Sequence, residues 1–309
     1  MPDLPPLADL REAVARDSRA LLAVSGLRVD VGGSPAIDGL TLSTTGDRVL
    51  VLGAARALFE AAAGLRAPSR GEIRVEGVSP RAAVSGGVAA GAPLDPPMPP
   101  AWTVLQYVTW SARLAGHPKA TARGMAAEAL ERMHLGRVAG TRLGGVAPAT
   151  RRGTVLAAAI ATGARTLLVE DPLPGLPSEA ERPFARVIAR ALSEHRVALF
   201  AGRVPLESPL ALASDEALVI DGAVVSAQGA PGELAASERT VALRVHGDVA
   251  AFARAVEAGG GRAEVTVGAP PPVHVRVELG PLAARDLLRM AAECEAVVVE
   301  LRPLARAFA

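Results

Sequence analysis

The stretch RVLVLGAARALFEAAAG (48–64) decides the fold. Its first five residues form an unbroken apolar run closed by Gly53, the pattern of a strand buried on both faces. Residues 54–63 are almost all strong helix formers, and Gly64 stands where a helix stops. A buried strand that passes through one glycine into a helix is half of a βα unit. It predicts a parallel sheet with helices packed on it.

Segments 22–30 and 36–43, on either side of Gly32–Gly33, read as strands, and GEIRVEG (71–77) alternates as another. Residues 92–101 carry five prolines and must be a loop. Amphipathic helices are expected at 103–115 and 120–134, broken at His117–Pro118, then a glycine-rich stretch (140–150) and a helix near 151–162. Residues 166–171 (TLLVED) form a second buried strand, which ends in two acids. A helix (178–194), a strand (196–202) and a hairpin around Asp221–Gly222 follow. Beyond about 240 the order is strand 241–246, helix 248–258, strands 262–267 and 273–279, helix 281–293, strand 296–302. That is the β-α-β-β-α-β order of ferredoxin-like domains. The expected organisation is an arm (1–20), a large α/β domain (21–238) and a small α+β domain (239–309).

Composition narrows the function. Half of the 309 residues are hydrophobic and the net charge is +1, which leaves no electrostatic footprint for nucleic acid. Cys294 is the single cysteine, read as a core filler, so no disulfide or cysteine-based metal site is expected. The five histidines are scattered without ligand spacing. Trp102 and Trp110 bracket the start of helix 103–115 and read as core or subunit-contact residues. The start, MPDLPPLADLREAVARD, has prolines and acids where a signal peptide needs basic then apolar residues. No run is long and apolar enough to span a bilayer. A cytoplasmic chain is expected, held at the inner face of the membrane by a partner if it works there.

The order strand, turn, helix, glycine-rich segment, then a buried strand with two acids followed by PLPGL resembles the ATP-binding subunit of ATP-binding-cassette (ABC) exporters. The likeness runs over about 22–236. AAAGLRAPSRGEIRVEG (61–77) is similar to that family's stretch after the phosphate loop, and SDEALVIDGAVVSAQGAPGEL (214–234) to its closing hairpin and helix. LRPLARAFA (301–309) is similar to the tail of subfamilies exporting drugs, antibiotics or polysaccharides. The implied fold is a P-loop NTPase-like α/β domain with a ferredoxin-like α+β appendage.

The family's chemical motifs are altered. A phosphate loop needs Gly-x4-Gly-Lys-Ser/Thr: glycines so that backbone N–H groups cradle phosphate, lysine for charge, a hydroxyl for Mg²⁺. Gly53 is instead followed by Ala54, Ala55 and Arg56, and counting to Ala63–Gly64–Leu65 the loop is about four residues short of that motif. The only lysine, Lys119, lies on another element. Where the family has Asp then Glu, this chain has Glu170 then Asp171. The signature segment aligns with Val146–Thr150, the expected glutamine with Ala89–Ala92, the adenine-stacking aromatic with Val31 and the switch histidine with Gly202; PGLP (174–177) lacks the family's aspartate.

The resemblance therefore implies a degenerate, non-hydrolytic subunit, with no cofactor expected. Its partners would be a membrane permease and either an active ABC ATPase or a second copy of itself. A weak ATPase using ATP and Mg²⁺ through Arg56, Glu170 and Asp171 is one alternative. A stand-alone interaction module built on the ferredoxin-like domain is another.

Overall fold

The computed structural model describes residues 20–202, 204–206, 208–221, 224–238, 240–265 and 272–303. The expected arm (up to residue 19), the Gly222 half of the hairpin turn and the last six residues of the tail lie outside them. Contacts divide the chain into two compact units, Met1–Pro231 and Gly232–Ala309. This division falls a few residues before the change of composition near 240.

The first unit is built from two sheets. An antiparallel sheet has the order β2-β1-β4, from β1 (Leu22–Val31), β2 (Ser34–Ser43) and β4 (Arg70–Val75). A second sheet has the order β5-β6-β7-β3-β8-β9. Its strands β5 (Ala89–Ala92), β6 (Thr166–Glu170), β7 (Arg196–Ala201), β3 (Arg48–Leu52) and β8 (Glu216–Asp221) are parallel, and β9 (Val224–Gly229) is an antiparallel edge. Helix α1 (Ala55–Ala62) lies in the core shared by the two sheets, with Leu58, Phe59, Ala61 and Ala62 buried. Its alanines let the sheets approach closely, and Phe59 meets Phe200 of β7 edge to face at 5.9 Å.

Short helices α2 (Pro80–Ser85) and α7 (Pro209–Leu212) each begin with proline after a capping serine, Ser79 and Ser208. Three longer helices pack together: α3 (Val104–Leu114), α4 (Lys119–Arg132) and α5 (Pro148–Ile160). The buried residues Val104, Val108 and Ala112 recur every four positions on α3, and Ala122, Ala126 and Leu130 do so on α4. That is the spacing of one helix face. Thr103 and Gln106 close α3 with a reciprocal capping box. Helix α6 (Ser178–Ala191) buries Ala185, Ile188 and Ala191.

Glu216 holds the entry to β3. Its carboxylate is buried and accepts from the N–H groups of Thr45 (2.8 Å) and Gly46 (2.9 Å), the Thr45 hydroxyl (3.2 Å) and Gln228 Nε2 (2.6 Å). Glu76, after β4, accepts from Thr166 Oγ1 on β6 and Arg196 Nη1 on β7, so a charge network joins the two sheets.

Helix α8 (Pro231–Glu238) begins at the unit boundary. The second unit then runs β10 (Thr240–His246), α9 (Val249–Ala258), β11 (Arg262–Val265), β12 (Val273–Glu278), α10 (Ala284–Glu293), β13 (Val297–Pro303). Its sheet order is β11-β12-β10-β13, all antiparallel, which is the ferredoxin-like arrangement. Phe252, Val256, Leu287 and Ala291 from its helices pack on Leu243, Val245, Val275 and Val277. Cys294 is half-buried against this core.

Candidate functional site

Strands β6, β7 and β3 are adjacent and parallel, so their C-terminal ends share one edge of the sheet. Open α/β sheets bind ligands at that edge. It carries Glu170–Asp171, Ala201–Gly202 and Leu52–Gly53, three of the positions singled out in the sequence.

The turn after β3 is minimal. Gly53 adopts φ +92°, its N–H donates to Ala201 O (3.2 Å), and it sits so close over β8 that a Cβ there would lie 2.0 Å from Ile220 O. Ala54 alone separates it from α1, which starts with neither a side-chain cap nor an acid in its first turn. Unpaired N–H groups of a first turn carry partial positive charge.

Beside this turn is an open pocket of about 510 Å³, lined by Val31, Ala54, Ala55, Arg56, Glu60 and Arg66 among others. The fold thus brings Val31, at the end of β1, into the same pocket as the turn. Arg56 is 77% exposed and pairs with Glu60 one helical turn on (3.1 Å). Glu60 also accepts from Arg66 (2.6 Å). Burial pushes the Glu60 carboxyl up, but hydrogen bonds and charge from Arg66 and Arg56 outweigh it and hold the group below its ordinary value. Arg56 is held above its ordinary value, first by the hydrogen bond to Glu60 and then by the charge of Glu170.

The two acids after β6 both engage backbone. Glu170 is buried and accepts from Leu94 N–H (2.9 Å), just past β5. Asp171 Oδ2 accepts from Gly202 N–H (2.9 Å), while Oδ1 is buried with no partner among the described residues. Asp171 has φ +28°, a region unusual for a residue with a side chain. Burial raises its carboxyl above the ordinary value, opposed by the Gly202 hydrogen bond and the charge of Arg152. Among the described residues no group of three His, Cys, Asp or Glu could hold a metal ion.

Val146–Thr150 runs into α5, which begins at Pro148 rather than near 151. Its N-cap, Ala147, offers no side-chain acceptor, and Pro148 at the first position has no N–H. Arg152, one turn further, donates to Leu94 O and to Pro174 O (3.2 Å), tying together the loops after β5 and β6. Ala89–Ala92 forms β5 itself. Sequence reasoning singled out Arg56, Glu170 and Asp171 but missed Glu60, Arg66 and Arg152. The Arg56–Glu60 pair has a readable i, i+4 spacing, whereas the partners of Arg66 and Arg152 carry no sequence signal.

No family model matches the chain, and no curated protein matches it. Solved structures do. It is similar to cbiO1 of Clostridium perfringens, part of the ABC transporter complex cbiONQ, with 18% identity, TM-score 0.59, and 70% of this chain and 90% of that one covered. It is similar to MJ1267, an ATP-binding cassette of an ABC transporter in its ADP conformation (14%, TM-score 0.58, 70% and 94%). An inward-facing metal-chelate type ABC transporter gives 20%, TM-score 0.57, 71% and 87%. The fold is that of the ATP-binding subunit of ABC transporters. Among the described residues no helix is long and apolar enough to cross a membrane.

Proposed function

We propose that this chain is a degenerate ATP-binding subunit of an ABC-type exporter, a non-hydrolytic structural or regulatory partner of a membrane permease at the inner face of the cell membrane. The observation that carries the reading is the turn at 53–55: a single alanine lies between Gly53 and α1, with no lysine, second glycine or hydroxyl. These residues do not fit a magnesium–nucleotide complex. The acids at 170 and 171 are each engaged with a backbone N–H, and α5 starts with proline where the family presents a helix N-terminus to the partner's nucleotide.

Losing the lysine contact costs about 1.5–3 kcal/mol. With the phosphate nest and the metal-binding hydroxyl also gone, about 4–7 kcal/mol is lost, roughly 10³–10⁵-fold in affinity. A chain lacking both the phosphate loop and the signature completes neither site of a cassette dimer, so its contribution to an assembly with a permease, an active ATPase or a second copy is scaffold or control. The ferredoxin-like appendage and the tail from 301 onward support the exporter assignment.

A second reading, residual nucleotide binding, is favoured by the uncapped start of α1 and by Arg56 beside the pocket. Calorimetry with Mg-ATP up to millimolar, paired with a thermal-shift assay, separates the two. Absence of heat and of stabilisation is expected. Micromolar binding lost in Arg56→Ala would replace the proposal with the second reading.

A further inference from the structure

Residues 93–103 connect β5 to α3, and so carry the chain from the parallel sheet into the layer of α3, α4 and α5. Prolines at 93, 96, 97, 99 and 100 fix φ along this loop, and Met98 within it is buried. Its far end is tied to the segment before α5: Gly144 N–H donates to Pro100 O (3.0 Å) and Leu143 N–H to Trp102 O (2.9 Å). Its near end is held by charged groups on both sides of one residue. Leu94 N–H donates to the buried Glu170 carboxylate (2.9 Å), and the Leu94 carbonyl accepts from Arg152 Nη1 of α5.

Arg152 is only 14% exposed, yet its hydrogen bonds go to main-chain carbonyls. Its other donor, Nη2, reaches Pro174 O (3.2 Å) in the loop between β6 and α6. Its ion pair with Asp95 is long (3.8 Å), and Asp95 is 70% exposed. A guanidinium presents its donors in a rigid planar fork, so one side chain can hold two loops at once. Bonds from an ionised donor are also stronger than neutral ones. Helix α5, which carries the fork, packs against α3 and α4 as well as against β5 and β6. Beside Arg152 its residues Val155 and Leu156 close over Ala92, Val169 and Glu170, leaving a gap of only about 10 Å³.

We infer that Arg152 is a built-in latch, which holds α5 and the loops after β5 and β6 in one arrangement with no ligand at the strand ends. Ligands of open α/β sheets bind at this edge, among the loops of separate strands. Here a side chain of the protein itself bridges two of those loops. Without the guanidinium, the carbonyls of Leu94 and Pro174 lose their shared donor, and Leu94 keeps only its bond to Glu170. The helical layer then gains other arrangements relative to the sheet, and the single population splits or broadens. That a latched chain serves as scaffold or control rests on the non-hydrolytic reading above; the latch rests on the contacts of Arg152 and Leu94.

The test measures a distance across the latch in the full-length protein without nucleotide. Spin labels are placed at Ser34→Cys on β2 and Ala127→Cys on α4, both exposed, after Cys294→Ser removes the native thiol. One narrow distance distribution is expected with Arg152 in place. In Arg152→Met, which keeps the stem and removes the fork, the distribution should become at least about twice as wide or show a second distance. Hydrogen exchange at the Leu94 amide should quicken at least about tenfold, while the amides of α1 and the circular dichroism stay unchanged. Arg152→Lys, whose ammonium is a point donor without the fork, should fall between the two. Should the methionine variant fail to fold, the lysine variant carries the test with the same direction of change. A broad distribution in the parent protein, or the parent's distance and Leu94 exchange in the variants, would overturn the latch. The nucleotide calorimetry is independent. ATP binding by a protein that shows the latch sinks the non-hydrolytic reading alone, and an unlatched protein that binds no ATP sinks the latch alone.

Discussion

Asp171 and Gly202 are joined across the ends of neighbouring strands: Asp171 Oδ2 accepts the Gly202 N–H at 2.9 Å, and the other oxygen of the same carboxylate is buried with no partner among the described residues. The carboxyl therefore serves as a cap on β7 that carries a poorly solvated charge. Burial raises it above its ordinary value of 3.8. Between that value and the higher folded one, the folded state holds its proton more tightly than the unfolded chain. Asp171 thus contributes stability that is full below the ordinary value and is lost as pH rises through the folded one. In Asp171→Asn the amide oxygen still accepts from Gly202, and the titration is gone. The difference in stability between variant and wild type should move in the variant's favour as pH rises from about 4 to 7, by less than about 1 kcal/mol once the group's half exposure is discounted. Denaturant melts at both pH values check this. A difference that is flat with pH would show that the carboxyl is not desolvated.

Gly53 is fixed by packing rather than by any ligand. An alanine there would take φ +92° and drive its Cβ to 2.0 Å from Ile220 O. Gly53→Ala should therefore cost about 3 kcal/mol or more. Arg56→Ala, three residues on and largely exposed, should stay within about 0.5 kcal/mol. Urea melts of both variants, read without nucleotide, decide the point: equal losses would mean the turn is not seated on β8 as described.

The βα unit at 48–64 and the β-α-β-β-α-β order of the C-terminal unit are legible in the sequence because apolar periodicity dictates which face is buried. Strand β5 (Ala89–Ala92) is not. AAGA has no strand propensity, and it is a strand only because it pairs with β6. Helices α2 and α7 were readable from Ser-Pro starts yet went unassigned, and Pro148 marks the true start of α5. At the site, sequence brings out the acids at 170 and 171 and the shortened turn. It does not yield what they touch, since Glu170 meets Leu94 and Arg152 meets Leu94 across 76 and 58 residues of chain. Those partners depend on where β5, β6 and α5 come together, which no local pattern encodes.

Glu216 is the most heavily used buried carboxylate outside the candidate site. Truncation in Glu216→Ala would leave the Thr45 and Gly46 N–H groups and Gln228 Nε2 without this acceptor. A loss of about 3–5 kcal/mol is expected. Glu216→Gln keeps the shape and one acceptor oxygen, and should lose distinctly less. Thermal melts of the pair check this; an alanine variant as stable as wild type would mean that the loop at 43–46 is held by something else.

His195 gives the chain a titration on the acid side of neutrality. It lies between α6 and β7, with Nε2 buried and without a hydrogen-bond partner among the described residues. Burial lowers it below its ordinary value of 6.5, the charge of Arg132 lowers it further, and the hydrogen bond with Ala164 and the charge of Glu194 oppose both. A histidine depressed in the folded state contributes stability that is present above the unfolded value and is lost as pH falls toward the folded one. Lowering pH from about 7.5 to about 5 should therefore reduce Tm, and replacing the imidazole in His195→Asn should remove that part of the slope. The comparison is internal to each protein, so a lower Tm for the variant at every pH does not obscure it. An unchanged slope in the variant would assign the acid sensitivity to other groups.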